Sequence, residues 1–378
     1  MNGDGVGRHE SGQIWLRDGR VGGTVGAMNT SADPDLAVIT RQLRAMYGSR
    51  LLIAAVSHLR VFETVAAAPR TGEELRANLG LPERSAMVLF PALRAMGLLA
   101  ADTGGRLLLT EAGRHLLTGV TPNLAGYVGL EQEDAGVVEM ANRLRHDGPV
   151  SSTGGTAYVK ESHEASPMDD PVLARHLTLA LAGRARLLAP LAAPQLPASE
   201  GHLLDVAGGT GLFACEWLRR NPRATATVYD RPEVLRVAAE FRDEFCSSGR
   251  PDAATVRNRL QFQPGNMLED ELPRADLILA ASLFHDWPVA TCRSLMMRLT
   301  EVLQAGGEIW AHDAFLNDAL DGPLAVTDYS AQLFWVTKGR CYSRAEYRGW
   351  FTDAGLQPLP GEFPTALDYS LIGARKAR

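Results

Sequence analysis

Cysteine is scarce in this chain. Four stand among 378 residues (Cys215, Cys246, Cys292 and Cys341), far apart and without a C-x-x-C pair. That spacing excludes a disulfide framework and a structural zinc site, and it fits a protein held in a reducing cytoplasm. Long apolar runs are missing too, since no stretch approaches the roughly 20 residues of a membrane-spanning helix. Positive charge is not in excess: 38 Lys and Arg against 44 Asp and Glu leave a net charge of −6. Binding to a nucleic-acid backbone needs clustered Lys and Arg, so no nucleic-acid partner is expected.

What remains is ordinary globular composition, 46% hydrophobic and 22% charged, in a chain long enough for two domains. Residues 1–34 are rich in Gly, Arg and Asp and lack the apolar core of a signal peptide; they read as a disordered tail, with Met28 a candidate start. Residues 35–195 read as a mostly helical domain. Leu36 to Ala66 carries apolar residues at helical spacing, among them Leu43, Met46, Leu51, Leu52, Ala55 and Leu59. Thr71 and Glu74 have capping-box spacing. Ala86 to Met96 forms a further helix, and Leu98–Ala101 and Leu107–Leu109 flank a Thr-Gly-Gly turn as two short strands. This order resembles a winged helix-turn-helix. A DNA-reading helix would carry Arg, Lys, Asn and Gln, whereas Ser85 to Leu93 is apolar almost throughout, which favours a packing or dimerisation module. Pro149–Thr156 reads as a loop, and Pro171–Ala189 as a helix followed by a connector with Pro190, Pro194 and Pro197.

From residue 196 to 378 strand and helix patterns alternate. Leu203–Val206, Ala226–Tyr229, Leu260–Gln263, Leu277–Ala281 and Glu308–His312 are the strands; Phe213–Arg220, Pro232–Phe245 and Cys292–Gln304 are the helices between them. The pattern predicts an α/β fold: a doubly wound, mostly parallel, Rossmann-like sheet covered on both faces. A last helix, Ser343–Ala354, precedes a terminal hairpin ending in Tyr369–Ala374.

The most informative stretch is Leu203-Leu204-Asp205-Val206-Ala207-Gly208-Gly209-Thr210-Gly211, an apolar run closed by an acid and a glycine-rich turn. Such a turn brings backbone close to a nucleoside-bearing cofactor and aims helix N-terminal amides at it. Asp230, at the end of the next apolar run, is placed to accept hydrogen bonds from ribose hydroxyls. Gly209 to Ala214 also satisfies G-x-G-x-x-A, so the loop by itself admits a nicotinamide dinucleotide as well.

Two downstream motifs carry a more specific resemblance: Leu283-Phe284-His285-Asp286-Trp287 after the fourth strand, and Gly306 to Asp313 in the fifth. With the acidic-x-Gly-x-Gly-x-Gly loop, read here as Asp205-x-Ala207-x-Gly209-x-Gly211, and the winged-helix module in front, the chain resembles the class I S-adenosylmethionine-dependent small-molecule O-methyltransferases. These include plant caffeate and bacterial hydroxyneurosporene-type and polyketide enzymes. The resemblance implies S-adenosyl-L-methionine as cofactor, a homodimer that exchanges N-terminal helices, and a phenolic natural-product precursor, tyrosine-like or related, as acceptor. It implies His285 as general base and Asp313 as the carboxylate that orients it. Gly208 and Gly209 then approach the methionine moiety, Asp230 the ribose, and Asn266 and Met267 the adenine. Asn266 replaces the family's Asp in Gly-Asp-Met. Ala281-Ser282 stands where plant members carry Lys, leaving Ser282 beside the cofactor. Gly339-Arg340-Cys341-Tyr342-Ser343 replaces Gly-x-Glu-Arg-Thr, so the second acidic flank of the base is missing.

A neutral histidine suits the task, because a phenol of pKa about 10 needs a base in contact to ionise at neutral pH. Methylation on oxygen and on the ortho ring carbon start from the same deprotonation; oxygen is favoured by the resemblance. Tyr329, Phe334, Trp335 and Tyr342 are candidate pocket aromatics. His285, His312 and Asp313 would make a metal triad only if His312 and Asp313 converged, and neighbours on a strand point to opposite faces. No metal is expected. The rival functions are a nicotinamide oxidoreductase and a ligand-sensing DNA-binding regulator.

Overall fold

The computed structural model describes residues 34–148 and 167–378; the expected tail, apart from Pro34, and the Pro149–Thr156 loop lie outside the described residues. The apolar run at the N-terminus is not one helix. It forms α1 (Ala37–Ile53), a π-helical turn at Ala54–His58 and, after a left-handed Arg60 at φ 52°, α2 (Val61–Ala67). A π-turn shifts the side-chain register, and the left-handed residue ends the helix outright.

β1 (Arg70–Thr71), α3 (Gly72–Leu79), α4 (Glu83–Ala95), β2 (Leu99–Ala101) and β3 (Arg106–Leu109) complete the winged-helix arrangement, with sheet order β1-β3-β2. Thr71 caps α3: its hydroxyl accepts the Glu74 N–H at 3.3 Å while Glu74 accepts the Thr71 N–H at 2.8 Å. Such a cap contributes about 1 kcal/mol. Helix α4 buries Ser85, Ala86 and Val88 to Leu93, so the helix that would read DNA is core. Two short turns, α5 (Glu111–Arg114) and α6 (Ala125–Val128), lead to α7 (Ala135–His146). Helix α8 (Pro171–Ala192) runs longer than its sequence pattern implied and contains Pro190 near its end.

The C-terminal part runs β4 (His202–Val206), α9 (Leu212–Arg220), β5 (Thr225–Asp230), α10 (Pro232–Cys246), β6 (Leu260–Pro264), β7 (Ala275–Ala281), α11 (Val289–Val302), β8 (Leu303–Asp313), α12 (Leu324–Val336), α13 (Arg344–Asp353), β9 (Leu356–Pro358), β10 (Phe363–Pro364) and β11 (Ser370–Lys376). Its sheet has the order β10-β11-β8-β7-β4-β5-β6, with β9 also on β11. Strands β4 to β8 are parallel and β11 is antiparallel to β8. The strands are apolar on both faces because both are covered. Leu203, Leu277 and Leu279 pack under α8, α9 and α10, whereas Leu204, Ile278 and Ala280 pack under α11 and α13.

Helix α12 ties the two parts together. Ala331 and Phe334 lie in the N-terminal core, while Tyr329 belongs to the core beside the sheet. Glycine lets α1 approach it: a Cβ at Gly48 would sit 2.0 Å from an Asp328 oxygen. Leu36–Arg378 is accordingly one compact unit.

Candidate active site

In this strand order β4 is where the winding reverses, with β5 and β6 on one side and β7 and β8 on the other. Open α/β sheets bind ligands at the carboxyl ends of the strands flanking such a point. The glycine loop leaves β4, Asp230 ends β5, Asn266 follows β6, Ser282 and His285 follow β7, and Asp313 ends β8. Parallel pairing therefore gathers every sequence-selected site residue at one edge of the sheet.

The loop is shaped by close approach. A Cβ on Gly208 would lie 2.8 Å from the Asp205 carboxyl carbon and 2.9 Å from Val228, so only glycine fits. Gly209 and Gly211 have φ of 55° and 69°, and a Cβ on Gly209 would meet open space. Ala207 shares their left-handed conformation at φ 51°. The alanine in place of the family's glycine thus carries backbone strain of about 1 kcal/mol. Asp230 fixes the loop, accepting the Gly209 N–H at 2.9 Å and the Arg231 N–H at 2.7 Å.

Asp205 is fully buried beneath the loop and neither carboxylate oxygen has a hydrogen-bond partner. Burial pushes it up to about 7, against a pull from the Ala214 amide, which is too poorly placed to form a hydrogen bond. Burial also raises Asp230, to about 6, despite its two amide donors. Both acids bind protons more readily folded than unfolded, so their contribution to stability is present near pH 4 and falls as pH rises through 6 to 7. Denaturation midpoints of the cofactor-free protein should show this decline, on the order of a few kcal/mol, and Asp205→Asn should flatten it.

Asn266 caps its own turn. Its Oδ1 accepts the Leu268 N–H at 3.2 Å, while its N–H donates to Asp270 at 2.8 Å. Met267 is half-buried, and its carbonyl accepts the Arg298 Nε–H at 3.1 Å. Ser282, at φ 55°, turns the chain out of β7 and donates its N–H to the His312 carbonyl at 2.9 Å.

His285 lies in the 3-10 turn Phe284–Asp286 and is 3% exposed. Its Nδ1–H donates to Asp313 Oδ1 at 2.5 Å, which leaves Nε2 as the free basic nitrogen. The tautomer follows from that pairing. Asp313 is held in turn by the Tyr347 hydroxyl at 2.7 Å and the Ala314 N–H at 2.8 Å. Burial would depress the imidazole, but the Asp313 and Asp286 carboxylates overcome it and raise His285 above the ordinary histidine value. For Asp313, burial works upward, yet His285, Tyr347 and Ala314 prevail and hold it below the usual carboxylate range.

Two further groups stand around Nε2. Asp286 Oδ1 is 3.6 Å away and the Tyr329 hydroxyl 3.4 Å. Asp286 thus puts a carboxylate beside the base where Cys341 leaves none. Of the four candidate aromatics only Tyr329 reaches the base. Phe334 lies in the N-terminal core, Trp335 packs on Tyr47 and Arg143, and Tyr342 donates its hydroxyl to the Trp287 carbonyl. His312 turns to the opposite face from Asp313. It packs against Phe213 and Tyr369 and meets Thr365 at 2.9 Å through Nε2, and burial drives it down to about 3. Cavities of about 450 and 230 Å³ elsewhere on the surface touch neither His285 nor a glycine of the loop.

In the sequence Gly339 is only the first residue of a divergent motif. Its Cβ would lie 2.2 Å from the His285 carbonyl oxygen and 2.7 Å from the Trp287 nitrogen. Gly339→Ala should therefore shift the His285 turn, lowering kcat and costing about 1–3 kcal/mol in a urea titration.

Residues 192–357 match the model of the O-methyltransferase domain. A crystal structure of an O-methyltransferase family 2 protein from Planctomyces limnophilus, in complex with apigenin, superimposes with a TM-score of 0.79. It is 35% identical, with 92% of this chain and 97% of that one covered. The chain belongs to the S-adenosylmethionine-dependent O-methyltransferase family. Across 335 residues it is 28% identical to the 3-hydroxy-5-methyl-1-naphthoate 3-O-methyltransferase of Streptomyces sahachiroi, covering 85% of this chain and 90% of that enzyme. Bos taurus acetylserotonin O-methyltransferase is 32% identical over 174 residues, 46% of this chain and 47% of its own length.

Membership decides between the two cofactors the glycine loop admitted, in favour of S-adenosyl-L-methionine. The local structure fits that group. Open space faces Gly209, and Asp230 is placed at the adjacent strand end. The unpartnered Asp205 carboxyl lies buried below the loop. Among the described residues no helix is long and apolar enough to cross a membrane, and no group of three His, Cys, Asp or Glu side chains could hold a metal ion.

Proposed function

We propose that this methyltransferase acts on the hydroxyl of a phenolic small molecule in natural-product biosynthesis, with His285 as general base. The observation that carries the reading is the buried Asp313–His285 pair, which leaves Nε2 unprotonated at the strand edge that holds the glycine loop. The naphthoate 3-O-methyltransferase, a relative along most of its length, supports an aromatic hydroxyl as acceptor.

S-adenosylmethionine supplies a methyl group on a sulfonium, and the protein supplies the rest. Gly208 and Gly209 give backbone access to the methionine moiety, Asp230 takes the ribose hydroxyls, and Asn266, Met267 and Ser282 border the remainder. His285 Nε2 takes the acceptor's proton as its oxygen attacks, and Asp313 stabilises the imidazolium that results. Methyl-labelled S-adenosylmethionine incubated with a panel of phenols, followed by NMR location of the methyl, tests the proposal. Methyl on a phenol oxygen is expected; label on a ring carbon or no transfer counts against it.

The N-terminal part serves as a dimerisation module. In its support, α1 leaves Ile39, Leu43 and Met46 66%, 54% and 40% exposed, at the i, i+4, i+7 spacing of one apolar stripe. Read from the sequence as part of a helical apolar pattern, these residues face outward in the single chain. Leu43→Asp should shift sedimentation from dimer to monomer.

A further inference from the structure

The acceptor end of the site contains one charge that deprotonation by His285 does not use. Arg184, on α8, is half-buried and points its Nη1 at two phenols, donating to the Tyr369 hydroxyl at 2.8 Å and the Tyr329 hydroxyl at 3.1 Å. The Tyr369 hydroxyl donates to that of Tyr329 at 3.0 Å, and Tyr329 stands 3.4 Å from His285 Nε2. Tyr329 therefore bridges the guanidinium to the basic nitrogen.

The pairing of this arginine is unlike that of the chain's more deeply buried ones. Arg44, Arg143 and Arg340 each have a carboxylate within 4 Å, supplied by Asp368, Glu139 and Glu346. Arg184 has none among the described residues, and its partners are neutral phenols that burial keeps protonated. A guanidinium has five N–H donors, and here only Nη1 is engaged. Nε–H and the Nη2 hydrogens form the side-on fork that matches the two oxygens of a carboxylate. Neither nitrogen is among the fully sealed atoms that lack a partner. Asp286, which also faces the base, contributes to the field at Arg184 without pairing with it.

We propose that Arg184 binds a carboxylate carried by the acceptor, so that the preferred substrates are phenols bearing an acid group rather than neutral phenols. The inference rests on the reading of His285 Nε2 as the place of the acceptor hydroxyl. A substrate with its hydroxyl at Nε2 and its carboxylate at the fork would displace the Tyr329 hydroxyl from Nε2 and keep its ring flanked by Tyr329 and Tyr369. Arg184 is thus a specificity residue, remote from the transferred methyl.

The test compares matched pairs on the full-length protein saturated with S-adenosylhomocysteine. 3-Hydroxy-1-naphthoic acid and L-tyrosine are each titrated calorimetrically against their methyl esters. At least one acid should bind about 10–100-fold more tightly than its ester, as a charged bidentate contact implies. In Arg184→Gln the acid-to-ester ratio should fall to about one, with the loss appearing in KM for the acid more than in kcat. Unchanged affinity for S-adenosylhomocysteine shows that the variant is folded, and the wild-type comparison stands without it. Equal binding of acid and ester, no binding of either acid, or a preference that survives in Arg184→Gln overturns the proposal. Failure of the methyl-transfer reading shows separately, as absence of S-adenosylhomocysteine binding or of transferred label with any acceptor.

Discussion

His285→Ala is expected to lower kcat by about 10²–10⁴ while leaving S-adenosylhomocysteine binding intact. The magnitude follows from the acceptor's chemistry. A phenol of pKa about 10 is almost wholly protonated at neutral pH, so removing its base removes most of the reactive anion. Cofactor affinity should survive, because the loop is fixed by Asp205, Asp230 and Val228 rather than by His285. The wild-type rate should rise with pH through a value above the ordinary histidine pKa, since Asp313 and Asp286 raise His285 and only the neutral imidazole accepts a proton. The alanine variant should lack that limb and follow the ionisation of the phenol itself. Unchanged turnover would remove His285 from the mechanism. Lost turnover accompanied by lost S-adenosylhomocysteine binding would mean that the substitution had disturbed the fold.

The parallel sheet was legible because each strand is a short apolar run closed by a turn, and the helices between are amphipathic. The glycine loop and the His-Asp-Trp turn were legible as local motifs for the same reason. Helix α12 was not. It is apolar almost all round, so it has no 3.6-residue period to read, and that is the pattern of a helix buried on every side. Tyr329 rides on it, and the chain places Tyr329 far from His285 in sequence. Arg184 and Gly339 were hidden differently. An arginine on a long helix and a glycine in a loop carry no signal until the fold supplies their neighbours. Ala207 shows the limit of reading size alone. It is the smallest side chain after glycine, yet the loop asks for a left-handed conformation, and that demand concerns backbone angle rather than volume.

Asp313→Asn is expected to cost on the order of 10²–10⁴ in kcat, though it changes only an oxygen to an amide nitrogen. Two effects act together. The carboxylate accepts the Nδ1–H at 2.5 Å and so leaves Nε2 unprotonated towards the acceptor. With its oxygen in the Oδ1 place, asparagine still accepts the Nδ1–H and the Ala314 N–H and turns its NH₂ to the Tyr347 hydroxyl; flipped, with its oxygen on Tyr347, it sets its NH₂ against Nδ1 and the Ala314 N–H and favours the tautomer with the proton on Nε2. That tautomer cannot take the acceptor's proton. The second effect is electrostatic: without the Asp313 charge, burial of His285 is opposed chiefly by Asp286, and the imidazole becomes a weaker base. The residual activity should therefore titrate at lower pH than the wild type, which separates this variant from His285→Ala, where no histidine limb remains. Tyr347→Phe removes one donor from Asp313 but keeps its charge, so it should cost far less and leave the tautomer in place. If Asp313→Asn kept the wild-type pH profile and rate, the buried pair would be a structural contact, and the base would have to be sought in Asp286.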